Sequence, residues 1–493
     1  MTNPPETPSP QSYPIIGNLL SFLHNRHRFH DWVTDMLSQT PTSTLRVCTF
    51  LNLSHGICTA NPTNVQHLLY TNFPNYIKGS RFHNVLCELL GDGIFNVDGH
   101  LWTVQRKIAS HEFNTKSLKN FVADTVKSEI SNRLLPYLSA ASLADEQFDL
   151  QAVLQRFTFA NILNVAFGVD PSRLDTENSE FGKAFDLAVE TTSSRFLSPV
   201  PLIWKFKRFC EIGSEKKFKD AIKVIDNYAM KIIESREDQE NEIVNNSDLL
   251  SRFMSNDAVQ FQDHDQKRKF LRDIVISFVL AGRDSTSTAL TWFFWLIAAR
   301  PRMAELIYKE LLSVATAAAA EEGIVFGYDE LKKLHYLHAA LSESLRLFPP
   351  VPINSRLTVD DDVLPDGTHV GKGWFADYSA YAMGRMEKVW GPDCKEFKPE
   401  RWLNDEGVYQ PLDPFRYPVF HSGPRICLGK EMAFVQMKSV AAAVLYEYEL
   451  VAADGGGTAE KMMDPPYMLT LLLRMRGGFL VRLKKRRCGP PET

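Results

Sequence analysis

The ten residues Phe420-His421-Ser422-Gly423-Pro424-Arg425-Ile426-Cys427-Leu428-Gly429 hold the densest chemistry in the chain. Cys427 stands at the mouth of a long amphipathic pattern over 428–448 that predicts a helix. A helix N-terminus offers free N–H groups and partial positive charge, which favour a thiolate. Gly423 and Gly429 allow a tight turn and close backbone approach to a flat ligand. Arg425 lies two residues from the sulfur, where it can pair with a carboxylate on that ligand. A single buried anionic sulfur donor in such a loop suits a haem iron.

Three other groupings carry side chains able to do chemistry. Ala281-Gly282-Arg283-Asp284-Ser285-Thr286 interrupts the most apolar region, 270–300, which reads as a helix ~45 Å long at 1.5 Å per residue. A mid-helix glycine costs ~1 kcal/mol, so something must offset Gly282, and a ligand face packed against it would do so. Positions 281, 284, 285 and 288 share one helix face, which would aim the Asp284 carboxyl and the neighbouring hydroxyl at that ligand for proton transfer. Glu343 and Arg346, at i and i+3, can pair on one face of a helix, and so can Trp102 and Arg106 at i and i+4.

The elements that must position these residues follow from patterning. The proline-rich stretch 1–14 reads as an extended lead segment without an apolar anchor, 15–485 as one domain and 486–493 as a tail. Runs at 45–50 and 57–60 predict a small strand pair, and Asn61-Pro62 opens a helix through Leu69. Helical periodicity dominates from about 100 to 345. Residues 356–360 read as a strand, 365–368 as a turn, and 384–426 as a long irregular segment. The fold class is mainly α (α+β): a large helical body with a long central helix and a small β-rich N-terminal region. The 270–300 stretch is a buried helix and not a span, because Arg283 and Asp284 would each cost ~2.5–3.5 kcal/mol at a bilayer centre. With 55 Lys and Arg against 59 Asp and Glu, the net charge of −4 disfavours nucleic-acid binding. Seven cysteines without C-x-x-C spacing disfavour a zinc ribbon or a disulfide framework.

The string F-x-x-G-x-R-x-C-x-G at 420–429 resembles the haem-binding signature of the cytochrome P-450 superfamily, and every motif position matches. Pro399-Glu400-Arg401-Trp402 stands at the place that family expects after Glu343-x-x-Arg346. The resemblance implies haem b held by Cys427, with Phe420, Gly423, Gly429, Ala281 and Gly282 against it and Trp102, Arg106, Arg356 and Arg425 at its propionates. It implies that Glu343, Arg346 and Arg401 form a buried charge network under the haem, and that Asp284, Ser285 and Thr286 serve oxygen activation. Ser285 holds the position where threonine is usual and lacks the methyl and stiff χ1. Electrons would come from NADPH through a separate flavoprotein reductase, since the chain has no flavin or nicotinamide fingerprint. The strings 90–99 and 105–113, with Tyr417-Pro418-Val419-Phe420-His421, resemble the plant fatty-acid ω-hydroxylase branch. That implies O2-dependent hydroxylation at or near the chain end of a medium- or long-chain fatty acid on the cytosolic face of the endoplasmic reticulum. Phe113, Phe278, Ala281, Val351, Ile353 and Met468 would wall the substrate pocket, with Lys78 or Arg81 near the carboxylate. The alternatives are a jasmonoyl–amino acid hydroxylase of the same branch, a reductase-independent hydroperoxide-rearranging enzyme, and an inactive haem-binding protein.

Overall fold

The computed structural model describes residues 8–486 except 12, 14–15, 49–54, 114, 170–174, 199, 241–247, 257–258, 316–324 and 454–465. Pro4, Pro5 and Pro14 of the lead segment lie outside the described residues, as does the tail from 487 onwards. Prolines lack an N–H and can offer only carbonyls. Pro8 and Pro10 both use theirs, accepting at 2.8 Å from Arg46 N and from Asn18 Nδ2.

Two helices, Leu19–Asn25 (α1) and Phe29–Gln39 (α2), precede strands Thr44–Cys48 (β1) and His55–Thr59 (β2). The strands pair antiparallel, with Leu45 opposite Cys58. Asn61 caps helix Pro62–Gln66 (α3) by accepting from Thr63 N at 3.0 Å. A π turn, His67–Thr71, carries that helix two residues beyond Leu69. Strand Tyr76–Ile77 (β3) leads into Gly79–Leu90 (α4) and Gly99–Ser110 (α5).

Helices then dominate, apart from Phe148–Asp149 (β4). Those that build the site are Leu150–Phe167 (α6), Asp175–Phe196 (α7), and one long rod formed by His264–Val279 (α8) and Ser285–Ala298 (α9). A π turn over Leu280–Asp284 joins α8 to α9. α9 is buried from Thr286 to Ile297, as befits a helix apolar on all sides. Helix His335–Leu347 (α10) packs on it, and Trp292 stacks on Phe348 at 4.6 Å between ring centroids.

The strand expected at 356–360 forms three residues earlier, as Ile353–Thr358 (β5). Its register against Phe375–Ser379 (β8) runs from Ile353–Ser379 to Leu357–Phe375, and Asp360 and Asp361 are drawn instead into a turn by the side chain and backbone of Lys372. Between them Asp362–Val363 (β6) and His369–Val370 (β7) pair around the predicted turn. The main sheet has the order β1-β2-β8-β5-β3, so the N-terminal strands are completed from the C-terminal half. Helix Lys430–Glu447 (α11) and strands Tyr448–Ala452 (β9) and Leu480–Lys485 (β10) close the chain. α11 was expected to be amphipathic, but it is buried continuously from Gln436 to Leu445 because it threads between α9, α10 and the helix Pro301–Val314. Among the described residues, no helix is long and apolar enough to cross a membrane.

Candidate functional site

Cys427 lies three residues before α11, in a loop closed on itself: its N–H donates to the Phe420 carbonyl at 2.8 Å, and Ile426 N–H donates to the Gly423 carbonyl at 3.0 Å. Its side chain opens into a cavity of about 940 Å³. Burial by surrounding protein pushes the thiol pKa up; the Gly429 N–H, Arg106 and Lys430 act against that rise. Gly423 has φ +67°, and a Cβ there would sit 2.0 Å from the Leu69 carbonyl oxygen. The residue that accepts the loop's close approach is thus the π turn after α3, not a ligand. Gly423→Ala is expected to lose about 1–3 kcal/mol of stability, read from the urea midpoint. At Gly429 a Cβ would meet only the Phe113 ring, at an ordinary 3.5 Å.

A surplus of positive charge faces the cavity beside this loop. Arg106 Nη2 donates to the Ile426 carbonyl at 2.6 Å, one residue from Cys427. Arg425 Nη2 donates to the Val97 carbonyl at 2.7 Å and to Asp98 at 2.6 Å, and its guanidinium lies 4.5 Å over Trp102. Arg356 is 2% exposed and gives one donor to the Ser355 carbonyl at 3.0 Å. The Nε atoms of Arg356 and Arg425 are buried without a partner. Lys78 completes the set; burial, then Arg356 and Arg425, press its pKa well below the usual lysine value. The structure thus brings Lys78 beside the arginines expected at the propionates, while Arg81 lies 4.0 Å over Phe375. The carboxylates nearest this group are Asp98 and Asp377. An excess of buried cations with orphaned donors, next to one open sulfur, fits a flat dianionic prosthetic group that needs a single thiolate.

Two members of this region were not foreseen. Asp98 occupies the position before α5 but does not cap it. Its carboxylate instead accepts from Lys78 N at 3.0 Å, Gly79 N at 2.9 Å and Arg425, and so ties three segments together. His421, at φ +59°, meets the Tyr378 hydroxyl at 2.7 Å through Nδ1; burial and the surrounding cations hold it neutral. The Tyr417–His421 lead-in was the only sequence signal for it.

The opposite wall is the π turn. Ala281, Gly282, Ser285, Thr286 and Ala289 line the cavity. Of the expected shared face of 281, 284, 285 and 288, Ala281 and Ser285 line the cavity and Asp284 and Thr288 do not, because the wider i→i+5 turn shifts the register. Asp284 is 0% exposed and points away from the cavity, its Oδ1 accepting from Arg283 Nη1 at 2.8 Å. Burial raises its pKa. Ser285 Oγ donates to the Ala281 carbonyl at 2.6 Å. The Arg283 carbonyl, loosened by the π turn, accepts from Thr158 Oγ1 at 2.7 Å and Ser287 Oγ at 2.8 Å. Gly282 is explained by α6: a Cβ would lie 2.6 Å from Ile162 Cδ1.

Phe113, Phe278, Val351 and Ile353 line the cavity, but Met468 does not. The loop 466–476 is pinched at its base by the Tyr467–Met475 bridge and by Met468 N donating to the Arg474 carbonyl at 2.8 Å, so only Leu469, Thr470, Leu471 and Leu472 at its tip reach in. The tip is held by Leu471 N donating to Ser193 Oγ at 2.9 Å and Leu473 N to the Pro350 carbonyl at 2.8 Å. Trp292 Nε1 donates to the Leu473 carbonyl at 2.6 Å.

Beneath the loop, Glu343 and Arg346 form a bidentate pair at 2.7 Å and 2.7 Å, both with fully buried side chains. Arg401 Nε donates to Glu343 at 3.2 Å, Trp402 Nε1 at 2.9 Å and Lys398 N at 2.9 Å. Arg346 also donates to the carbonyls of Gly384, Cys394 and Glu396. The first part of the expected irregular segment, residues 384–402, is therefore fixed by two charged side chains of α10.

Comparison with known proteins agrees with this arrangement. The sequence model of the Cytochrome P450 family matches residues 7–477. The chain is 46% identical over 486 residues to Cytochrome P450 94A1 of Vicia sativa, covering 97% of this chain and 90% of that one. It is 45% identical to Cytochrome P450 CYP94D108 of Paris polyphylla, with 98% and 94% coverage, and 41% identical to Cytochrome P450 94B3 of Arabidopsis thaliana, with 97% and 92%. The chain belongs to the cytochrome P450 family, and is a haem-thiolate monooxygenase that uses haem b and takes electrons from a redox partner.

Proposed function

We propose that this enzyme hydroxylates the terminal or near-terminal carbon of medium- or long-chain fatty acids, with Cys427 as the residue whose sulfur would hold the haem and NADPH-cytochrome P-450 reductase as electron donor. The haem, when bound, supplies the activation of dioxygen and insertion of one oxygen atom into a C–H bond. The observation that carries the reading is the lining of the cavity. The residues that line it include Cys427 and Ala281 together with Phe22, Trp32 and Met36 on α1 and α2, and its walls are mostly apolar. An alkyl chain is a long, narrow, apolar solute whose burial is worth roughly 0.8 kcal/mol per CH₂.

The chain's own residues then perform distinct tasks. Arg106, Arg356 and Arg425 would neutralise the propionates of the bound group, and Lys78 would add to that field. Phe113, Phe278, Val351, Ile353 and Leu471 exclude water and guide the alkyl chain. Terminal C–H bonds are stronger than internal ones, so chain-end attack requires walls that admit the methyl end first. Ser285, its Oγ held on the Ala281 carbonyl, and Thr286 line the cavity at the π turn, and Ser285 would be the hydroxyl that serves oxygen activation. The reading also carries the branch's location on the cytosolic face of the endoplasmic reticulum.

A reductase-coupled assay with a fatty-acid panel and mass spectrometry of the products tests this. The expected products carry hydroxyl at or next to the terminal carbon. Turnover of a jasmonoyl–amino acid conjugate with no fatty-acid product, or of a hydroperoxide without NADPH, would replace the reading.

A further inference from the structure

Four charged groups meet behind the π turn, outside the cavity surface. Arg283 Nη1 donates both to Asp284 Oδ1, at 2.8 Å, and to Asp186 Oδ1 of α7, at 2.9 Å. Arg474, from the loop whose tip lines the cavity, donates to Asp186 at 3.1 Å and 3.5 Å. The side chains of Arg283, Asp284 and Arg474 are 6%, 0% and 9% exposed, whereas Asp186 is 30% exposed. The cluster thus has one end near solvent and the other at the cavity helix. Asp284 keeps Oδ2 buried and without a partner.

We propose that Asp186 and Arg474 are positioning residues for Asp284: they keep Arg283 shared between two carboxylates, and they link that sharing to the substrate-lining loop. An arginine that belonged wholly to Asp284 would hold it as a fixed ion pair. Sharing leaves the Asp284 carboxyl able to exchange a proton and to turn its free Oδ2. The groups facing Asp284 are Arg283 on its own helix, Asp186 from α7 and Arg474 from the loop, while α6 presents the uncharged Thr158 and Gln155 nearby. Arg474 sits at the base of the tip formed by Leu469–Leu472, so its contact with Asp186 joins the charged cluster to the loop that lines the cavity. This inference rests on the monooxygenase activity and on the proton-transfer role that the family resemblance implies for Asp284, and not on the identity of the substrate.

The test is Asp186→Asn in the full-length holoenzyme, with Asp186→Glu as the conservative control and any substrate the wild type turns over. In Asp186→Asn, kcat should fall about tenfold, a fraction of the 10²–10⁴ that positioned acids contribute. The solvent deuterium isotope effect on kcat should rise, more NADPH should be consumed per product, and the spectroscopic Kd for substrate should stay within about twofold of wild type. Asp186→Glu should restore kcat. Arg474→Gln should repeat the loss, and the double variant should lose no more than either single one. Wild-type isotope effect and coupling in Asp186→Asn, or losses that merely follow the amount of folded holoprotein, would overturn the proposal.

Discussion

A Cys427→Ala protein is expected to show no carbon monoxide difference band of the haem-thiolate type and to hydroxylate substrate only at background. The fall should exceed about 100-fold, since even outer-shell partners of a metal ligand are worth 10–100-fold. The loop itself should survive. Its closing bond, Cys427 N–H to the Phe420 carbonyl, and the Gly423–Leu69 approach are properties of the backbone and do not need the sulfur. The urea midpoint of the variant without haem should therefore match that of wild type without haem. This separates loss of ligation from loss of fold. A variant that kept the band and the parent rate would remove the sulfur from the mechanism.

Glu343→Gln is expected to be the most destabilising single change in the chain's polar interior. Glu343 accepts from Arg346, Arg401, Trp402 Nε1 and Lys398 N, so its loss of charge leaves two buried guanidinium groups facing a neutral amide. Breaking such a buried pair costs about 3–5 kcal/mol. Arg401→Lys should cost less, because Arg401 is also supported by Asp393 at 3.0 Å and lies nearer the surface. Hydrogen bonds from Arg401 and Lys398 hold the Asp393 carboxyl down at about 2. Its contribution is full above the ordinary carboxylate range and is lost as pH falls through about 2. Chemical denaturation and haem content after expression check both variants; equal midpoints for wild type and Glu343→Gln would refute the account.

How far the sequence could be read depended on whether a residue's role was local. The Glu343–Arg346 pair lies in a short spacing that already constrains what it can do, whereas Gly423, read as approaching a flat ligand, approaches the Leu69 carbonyl, a partner over 350 positions away. Asp98 was invisible because its three partners come from segments about 20 and 327 positions away. Met468 was misassigned because the pinch at the base of 466–476 is a backbone event that no side-chain pattern records. The face containing Asp284 was read with 3.6 residues per turn, and a π turn breaks that periodicity over the residues where it mattered. The strand at 353–358 slid by three residues because register was set by pairing with β8, which becomes available only in the folded sheet. The continuous burial of α11 likewise reflects neighbours on all sides and not its own pattern.

The tip at Leu469–Leu472 is moored along its C-terminal half: Leu471 to Ser193, and the next residue, Leu473, through its N–H and its carbonyl to Pro350 and Trp292. The mooring uses main-chain groups, and among the tip side chains Thr470 alone adds a hydrogen bond, to the Leu472 carbonyl, so Leu469, Leu471 and Leu472 can change in bulk without losing a mooring bond. The tip behaves as an interchangeable gauge. With the substrate proposed above, exchanges at these few positions would retune how deep a hydrocarbon slides, carbon by carbon, while the machinery on the cysteine side stays untouched.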